Sequence, residues 1–261
     1  MTFDVAMVGG GNMGAALLGG MIGSGAFEPE RLAVVELLEA RRDRLVEMMP
    51  GVEVTDAVPP CSGAVIAVKP GGVATAVEQA VAAGATRILS IAAGVTIASL
   101  QAAAGPDVAV VRAMPNTPAL VGQGCAAIAG GATASDGDLA WAEEILGSVG
   151  TVERLAEPLL DVFTGVAGSG PAYVFLVAEA LTDAAVAEGL PRPVAERVVN
   201  QLLLGSSTLL ERDGDAARLR VDVTSPGGTT AAGLARLEQH AVRAAFGDAV
   251  RAATERSREL G

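Results

Sequence analysis

At 261 residues the chain is long enough for one large domain or two modest ones, each with a sizeable core. Just over half of it (51%) is hydrophobic with only one Trp and one Tyr, a composition that favours buried helices packed closely through small side chains. The formal net charge of −12 argues against a nucleic-acid partner, and it leaves any bound anion dependent on local backbone dipoles.

Residues 5–27 carry no charge, but their eight glycines would make a poor membrane helix. The start Met-Thr-Phe-Asp also lacks the basic region of a signal peptide. A soluble, cytoplasmic protein away from membranes is expected. Cys61 and Cys125 show no metal-ligand spacing, so no metal site is expected, and their scarcity fits a reducing compartment.

The first candidate strand, 4–9, runs into VGGGNMG. Gly9, Gly11 and Gly14 satisfy G-x-G-x-x-G between a strand and a helix, with Asn12 and Met13 inside the turn. The first glycine permits a tight turn, the second close approach of a pyrophosphate, and the third close helix–strand packing. The alternative is a merely tight turn in a glycine-rich chain. The second strand, 32–36, ends on Glu36, placed where an acid accepts from the adenosine ribose 2′-hydroxyl and disfavours the 2′-phosphate of NADP. Arg41 and Arg42 follow within a helix and read as simply solvated. Further strands are expected at 52–55, 64–68, 87–92, 108–113 and 124–131, separated by segments of helical period. A helix over 135–150 opens on Ser135 as N-cap and faces the core with Leu139, Ala142 and Ile145. Strands apolar on both faces and alternating with helices predict a helix-covered parallel sheet.

After about residue 156 the strand signal stops, and helices are expected over 158–167, 171–189, 192–212, 226–239 and 241–259. The segment AYVFLVAEALTDAAVAEGL is apolar nearly all round, which calls for cover on most sides and so for a partner subunit. The fold class is α/β, with a Rossmann-like dinucleotide-binding domain over 1–156 and an all-α dimerisation and substrate domain over 157–261.

Acid–base machinery is sparse. His240, the single histidine, lies between two helices without a nucleophile elbow or triad spacing and reads as a surface or capping residue. Lys69 ends a strand, where either its side chain or the backbone of 67–70 would face a ligand. Hydride transfer to a protonated imine fits this poverty, since such a substrate carries its own electrophilic activation.

These motifs resemble the pyrroline-5-carboxylate reductase family. The resemblance is carried by VGGGNMG (8–14), AVKP (67–70), SIAAGVT (90–96), VRAMPNTPA (111–119), GSGPAY (168–173) and VTSPGGTT (223–230), in the family's order. It implies NADPH or NADH as cofactor, lined by Ala67, Val68, Lys69, Pro70, Ile91, Ala92 and Ala93, with Met114 and Asn116 bordering the nicotinamide. It implies a substrate carboxylate held by Ser225, Gly227, Gly228 and Thr229, with Thr230 beside the imine nitrogen as the catalytic hydroxyl. It also implies an active site at a dimer interface and assembly as a homodimer at least, commonly a decamer. By itself VTSPGGTT reads equally as a capped helix start with Pro226 near its first position. Where the family often has an asparagine after the third strand, this chain has Asp56 and Ala57. With Glu36, that departure points to NADH use. Reduction of the six-membered imine acid and a non-catalytic NAD(H) sensor are the alternative readings.

Overall fold

The computed structural model describes residues 2–261. Eight strands form one sheet: β1 (Phe3–Val8), β2 (Leu32–Val35), β3 (Glu53–Thr55), β4 (Cys61–Ile66), β5 (Arg87–Ser90), β6 (Ala109–Met114), β7 (Gly124–Gly130) and β8 (Gly150–Arg154). Their order is β3-β2-β1-β4-β5-β6-β7-β8, parallel throughout except between β6 and β7. The seven expected strands are present with ends shifted by up to three residues. The unexpected one, β8, has the sequence GTVER, with a single aliphatic residue. It is an edge strand made by pairing with β7, a long-range choice that its own pattern does not carry.

Alternate residues of the central strands feed two cores. Val5, Met7, Val34, Val65, Leu89 and Val111 face one side, where they meet Leu17, Leu18 and Met21 of α1 (Asn12–Gly23), Leu45 of α2 (Glu39–Met48), and α5 (Asp136–Gly147). Ala6, Val8, Val35, Ala64, Ile66, Ile88 and Val110 face the other, against α3 (Val73–Ala82) and α4 (Ile97–Ala104). Two-sided burial of this kind is why the strands read as continuous apolar runs. Ser135 caps α5 as expected, in a reciprocal box with Asp138 at 3.3 and 2.9 Å. The buried face of α5 adds Trp141 and Leu146 to Ala142 and Ile145, and Leu139 is only partly buried.

The chain divides into two compact units: one runs to Ser169 and also takes in Arg251–Gly261, the other is Gly170–Val250. The first unit ends on α6 (Leu159–Phe163) and a π-helical turn, Thr164–Gly168, where a single α-helix was expected. The widened turn is marked by the Ser169 N–H donating to the carbonyl of Thr164, five residues back, at 2.8 Å. The buried guanidinium of Arg112 anchors this segment, reaching Glu157 at 3.0 Å and Asp161 at 3.8 Å. Ser257 donates to Asp161 at 2.7 Å, and the Ile97 N–H donates to Glu157 at 2.7 Å.

The second unit is helical throughout: α7 (Gly170–Ala187), α8 (Arg192–Asp213), α9 (Ala216–Asp222), α10 (Thr229–Gln239) and the first part of α11 (Val242–Leu260). Helix α9 was not expected. It buries no residue and depends on Asp215, whose side chain accepts from the Arg218 N–H at 3.0 Å. Among the described residues one helical stretch, Leu159–Ala187, is long and apolar enough to cross a membrane, with a mean hydropathy of 1.4. Thr182 is the one residue that α7 buries.

Candidate functional site

Register builds the site. Val8 of β1 pairs with both Val35 of β2 and Ile66 of β4, Ile66 pairs with Ser90 of β5, and Ser90 with Arg112 of β6. The residues that follow these positions therefore line one carboxyl edge of the sheet: Gly9, Glu36, Ala67, Ile91 and, just beyond, Met114. β1 is flanked by β2 on one side and β4 on the other, so chain order reverses there, and such a switch point opens a crevice for a ligand.

The three glycines differ in what surrounds them. Gly9 has φ +116°, and a Cβ on it would come within 2.5 Å of the Ala67 carbonyl oxygen. A Cβ on Gly14 would strike the carbonyl oxygen of Gly9, so β1 and α1 close tightly only without one. At Gly11 nothing lies within 4 Å of that position, and α1 starts directly after it without a side-chain cap. Two glycines serve the chain's own packing; the middle one faces open space at a helix N-terminus, as a bound pyrophosphate requires. A dinucleotide fits these residues.

Glu36 is buried just past β2, beside Gly10. Its Oε1 accepts the Leu38 N–H at 3.0 Å, and its Oε2 lies 3.6 Å from Arg41 Nη1. Arg42 is not simply solvated, because its Nη1 donates to the carbonyls of Glu36 and Leu37, each at 2.9 Å. Leu37 and Leu38 stand 77% and 57% exposed, an apolar ledge beside the acid that sequence reading missed. Its signal was two consecutive leucines set just ahead of a charged helix. Asp56 and Ala57, beyond β3, are both exposed.

At the other end of the edge, Ala67 and Val68 are half-buried, Lys69 and Pro70 are exposed, and Ile91, Ala92 and Ala93 follow β5 directly. The side-chain amide of Asn116 is engaged at both its nitrogen and its oxygen. It donates to the Ala167 carbonyl at 3.1 Å and accepts the Cys125 N–H at 2.9 Å, and so orders the loop after Met114. Met114 packs on Gly168, where a Cβ would come within 2.8 Å of the methionine Cε. A concavity of about 750 Å³ lies elsewhere in the first unit, lined by Asp4, Phe27, Arg87 and Trp141 near the strands' amino ends.

Within the second unit, the 225–230 segment forms an open helix start. Gly227 has φ +69°, Gly228 is extended with its N–H donating to the Ser225 carbonyl at 3.1 Å, and α10 begins at Thr229. Pro226 is therefore outside the helix, and the reading that sets it near the first helical position does not hold. A left-handed residue followed by an extended one delays the helix by three positions. No side chain caps α10, which leaves its first N–H groups to solvent or ligand. The Ser225, Thr229 and Thr230 hydroxyls are exposed and make no hydrogen bond among the described residues. Ser225 Oγ sits against Gly228, where a Cβ would displace it. His240 ends α10, exposed.

The sheet edge and its glycine turn define a dinucleotide-binding protein. Comparison with known proteins narrows the class. Residues 157–260 match the family described as pyrroline-5-carboxylate reductase dimerisation, and residues 4–94 match NADP oxidoreductase coenzyme F420-dependent. A pyrroline-5-carboxylate reductase of Synechocystis is 43% identical over 100% of this chain and 99% of its own. Among solved structures, a pyrroline-5-carboxylate reductase from Coxiella burnetii superposes with a TM-score of 0.92 at 32% identity, covering 100% of this chain and 99% of that one. The Plasmodium falciparum pyrroline carboxylate reductase, with NADP bound, gives 0.85 at 28% identity, covering 99% and 98%. The chain belongs to the pyrroline-5-carboxylate reductase family. With that membership come NAD(P)H use, a small-molecule substrate and a helical dimerisation segment.

Proposed function

We propose that the protein reduces 1-pyrroline-5-carboxylate to L-proline in the cytoplasm, as a homodimer at least, the unit from which the family's decamer is built. Residues 1–156 would hold the cofactor, and residues 157–261 the substrate and the partner subunit. The observation that carries this reading is the uncapped start of α10, with exposed hydroxyls on Ser225, Thr229 and Thr230. In a chain of net charge −12, a small carboxylate needs such a concentration of backbone N–H dipoles.

When bound, the reduced nicotinamide would supply the hydride for the imine carbon, which is C2 of the pyrroline ring and becomes C5 of proline. Ser225 donates to the substrate carboxylate, and the N–H groups of Gly227 and Thr229 share its charge, while Gly228 shapes the turn through its bond to the Ser225 carbonyl. Thr230 orients the ring nitrogen and relays the proton that the product amine takes up. No strong acid or base is required, because the iminium carbon is already electrophilic. On the sheet edge, the backbone of 9–14 receives the pyrophosphate, and Glu36 accepts from the adenosine ribose. Residues 67–70, 91–93, Met114 and Asn116 line the nicotinamide half. The match of residues 157–260 to a dimerisation family supports a second copy, rather than lipid, as the cover of the exposed Phe175 and Leu176 of α7.

The test is loss of reduced-nicotinamide absorbance with pyrroline-5-carboxylate, run separately with NADH and NADPH. Turnover with NADH preferred is the expected result. Tight cofactor binding with no turnover of this acid or of its six-membered homologue would make the protein a sensor instead.

A further inference from the structure

The two arginines that follow Glu36 are committed in different ways. Arg42 is tied to backbone, through the carbonyls of Glu36 and Leu37, and those bonds do not depend on the charge of Glu36. Arg41 has Glu36 as its ionic partner, at 3.6 Å, beyond hydrogen-bond length. Its side chain is 55% exposed, against 9% for Glu36. The pair thus joins a fixed, buried carboxylate to a guanidinium that is mostly free to swing. A planar guanidinium is also the side chain best suited to grip a phosphate.

We propose that Arg41 is a latent ligand for the 2′-phosphate of NADPH, held off by Glu36, so that the pair rather than the acid alone sets cofactor preference. The proposal rests on the reading of the glycine-turn edge as the cofactor site. With Glu36 charged, a 2′-phosphate must approach a buried carboxylate and draw Arg41 away from it. Neutralising Glu36 removes both obstacles together. Arg42 meanwhile keeps the turn in place, so the binding surface survives the change. Simple charge repulsion by Glu36 would make NADPH binding indifferent to Arg41, and the two accounts separate in a double-mutant cycle.

The experiment is calorimetric titration of the full chain with NADH and with NADPH, for the unmodified protein, Glu36→Gln, Arg41→Ala and the double variant. Glutamine keeps an oxygen for the Leu38 N–H, and equal thermal midpoints without ligand show that the fold is shared. Glu36→Ser completes the cycle if Glu36→Gln does not fold. Glu36→Gln should tighten NADPH on the order of tenfold, as one new charge-assisted contact would. The double variant should lose that gain. A gain of equal size without Arg41, or no gain at all, overturns the proposal while leaving the cofactor site standing. Failure of the unmodified protein to bind either nucleotide overturns the site itself.

Discussion

The two units solve the problem of burial in opposite ways. In the first, Val5, Met7, Leu17, Ile66 and Leu89 are wholly buried by the chain's own helices. In the second, α9 and α10 bury nothing, while Phe175, Leu176 and Leu204 each stand more than 60% exposed. Both segments are rich in aliphatic residues, so composition does not distinguish them. What differs is closure. A sheet with helices on both faces completes its own core, whereas a handful of helices of this length leaves apolar faces that only another chain can cover.

A charge on the open face should break that contrast most severely. Leu176→Asp is expected to give a monomer in sedimentation and to lower turnover by a hundredfold or more, since an unpaired charge in an apolar interface costs several kcal/mol, roughly 3–5. NADH affinity, a property of the self-sufficient unit, should stay close to that of the parent. Loss of both together would mean that the first unit is not self-sufficient.

Next in size is Thr230→Ala, which should lower kcat by about a hundredfold with cofactor affinity unchanged, the lower end of what a positioned proton donor contributes. Unaltered turnover would remove the proton role from Thr230. Two glycine substitutions sharpen the view of the first unit. Gly14→Ala should destabilise the fold by about 1–3 kcal/mol in thermal or denaturant melts, because its Cβ meets backbone that cannot yield. Gly11→Ala should melt with the parent and weaken NADH instead, since only a ligand fills the space beside it. Equal melting effects would deny Gly11 its pyrophosphate role. The smallest effect is expected from Ser225→Ala, a rise in substrate KM of about tenfold, the low end for one lost hydrogen bond to a charge. An unchanged KM would assign the carboxylate to backbone donors alone.

Local signals were legible wherever the physics is local. The turn at Gly9–Gly14, the cap at Ser135 and the apolar strands all depend on residues close in sequence, and each was read in place. The edge strand β8, the π-helical turn before Ser169 and the Arg112–Glu157–Asp161 cluster were not legible. Each depends on partners tens of residues away or on a widened turn that no composition marks. At the 225–230 segment the residue types suggested a carboxylate cradle and a capped helix equally. The left-handed Gly227, the late start at Thr229 and the absence of a side-chain cap removed the second reading.

By itself the sequence determined the fold class, the glycine turn and the acid at the end of β2, because strand periodicity and turn chemistry are written in neighbouring residues. Only the tertiary structure decided that Gly9, Glu36, Ala67, Ile91 and Met114 share one edge, and that Arg41 and Arg42 answer to different partners. Those facts follow from strand register and from the directions of side chains. Both are settled by packing between segments that no local pattern connects.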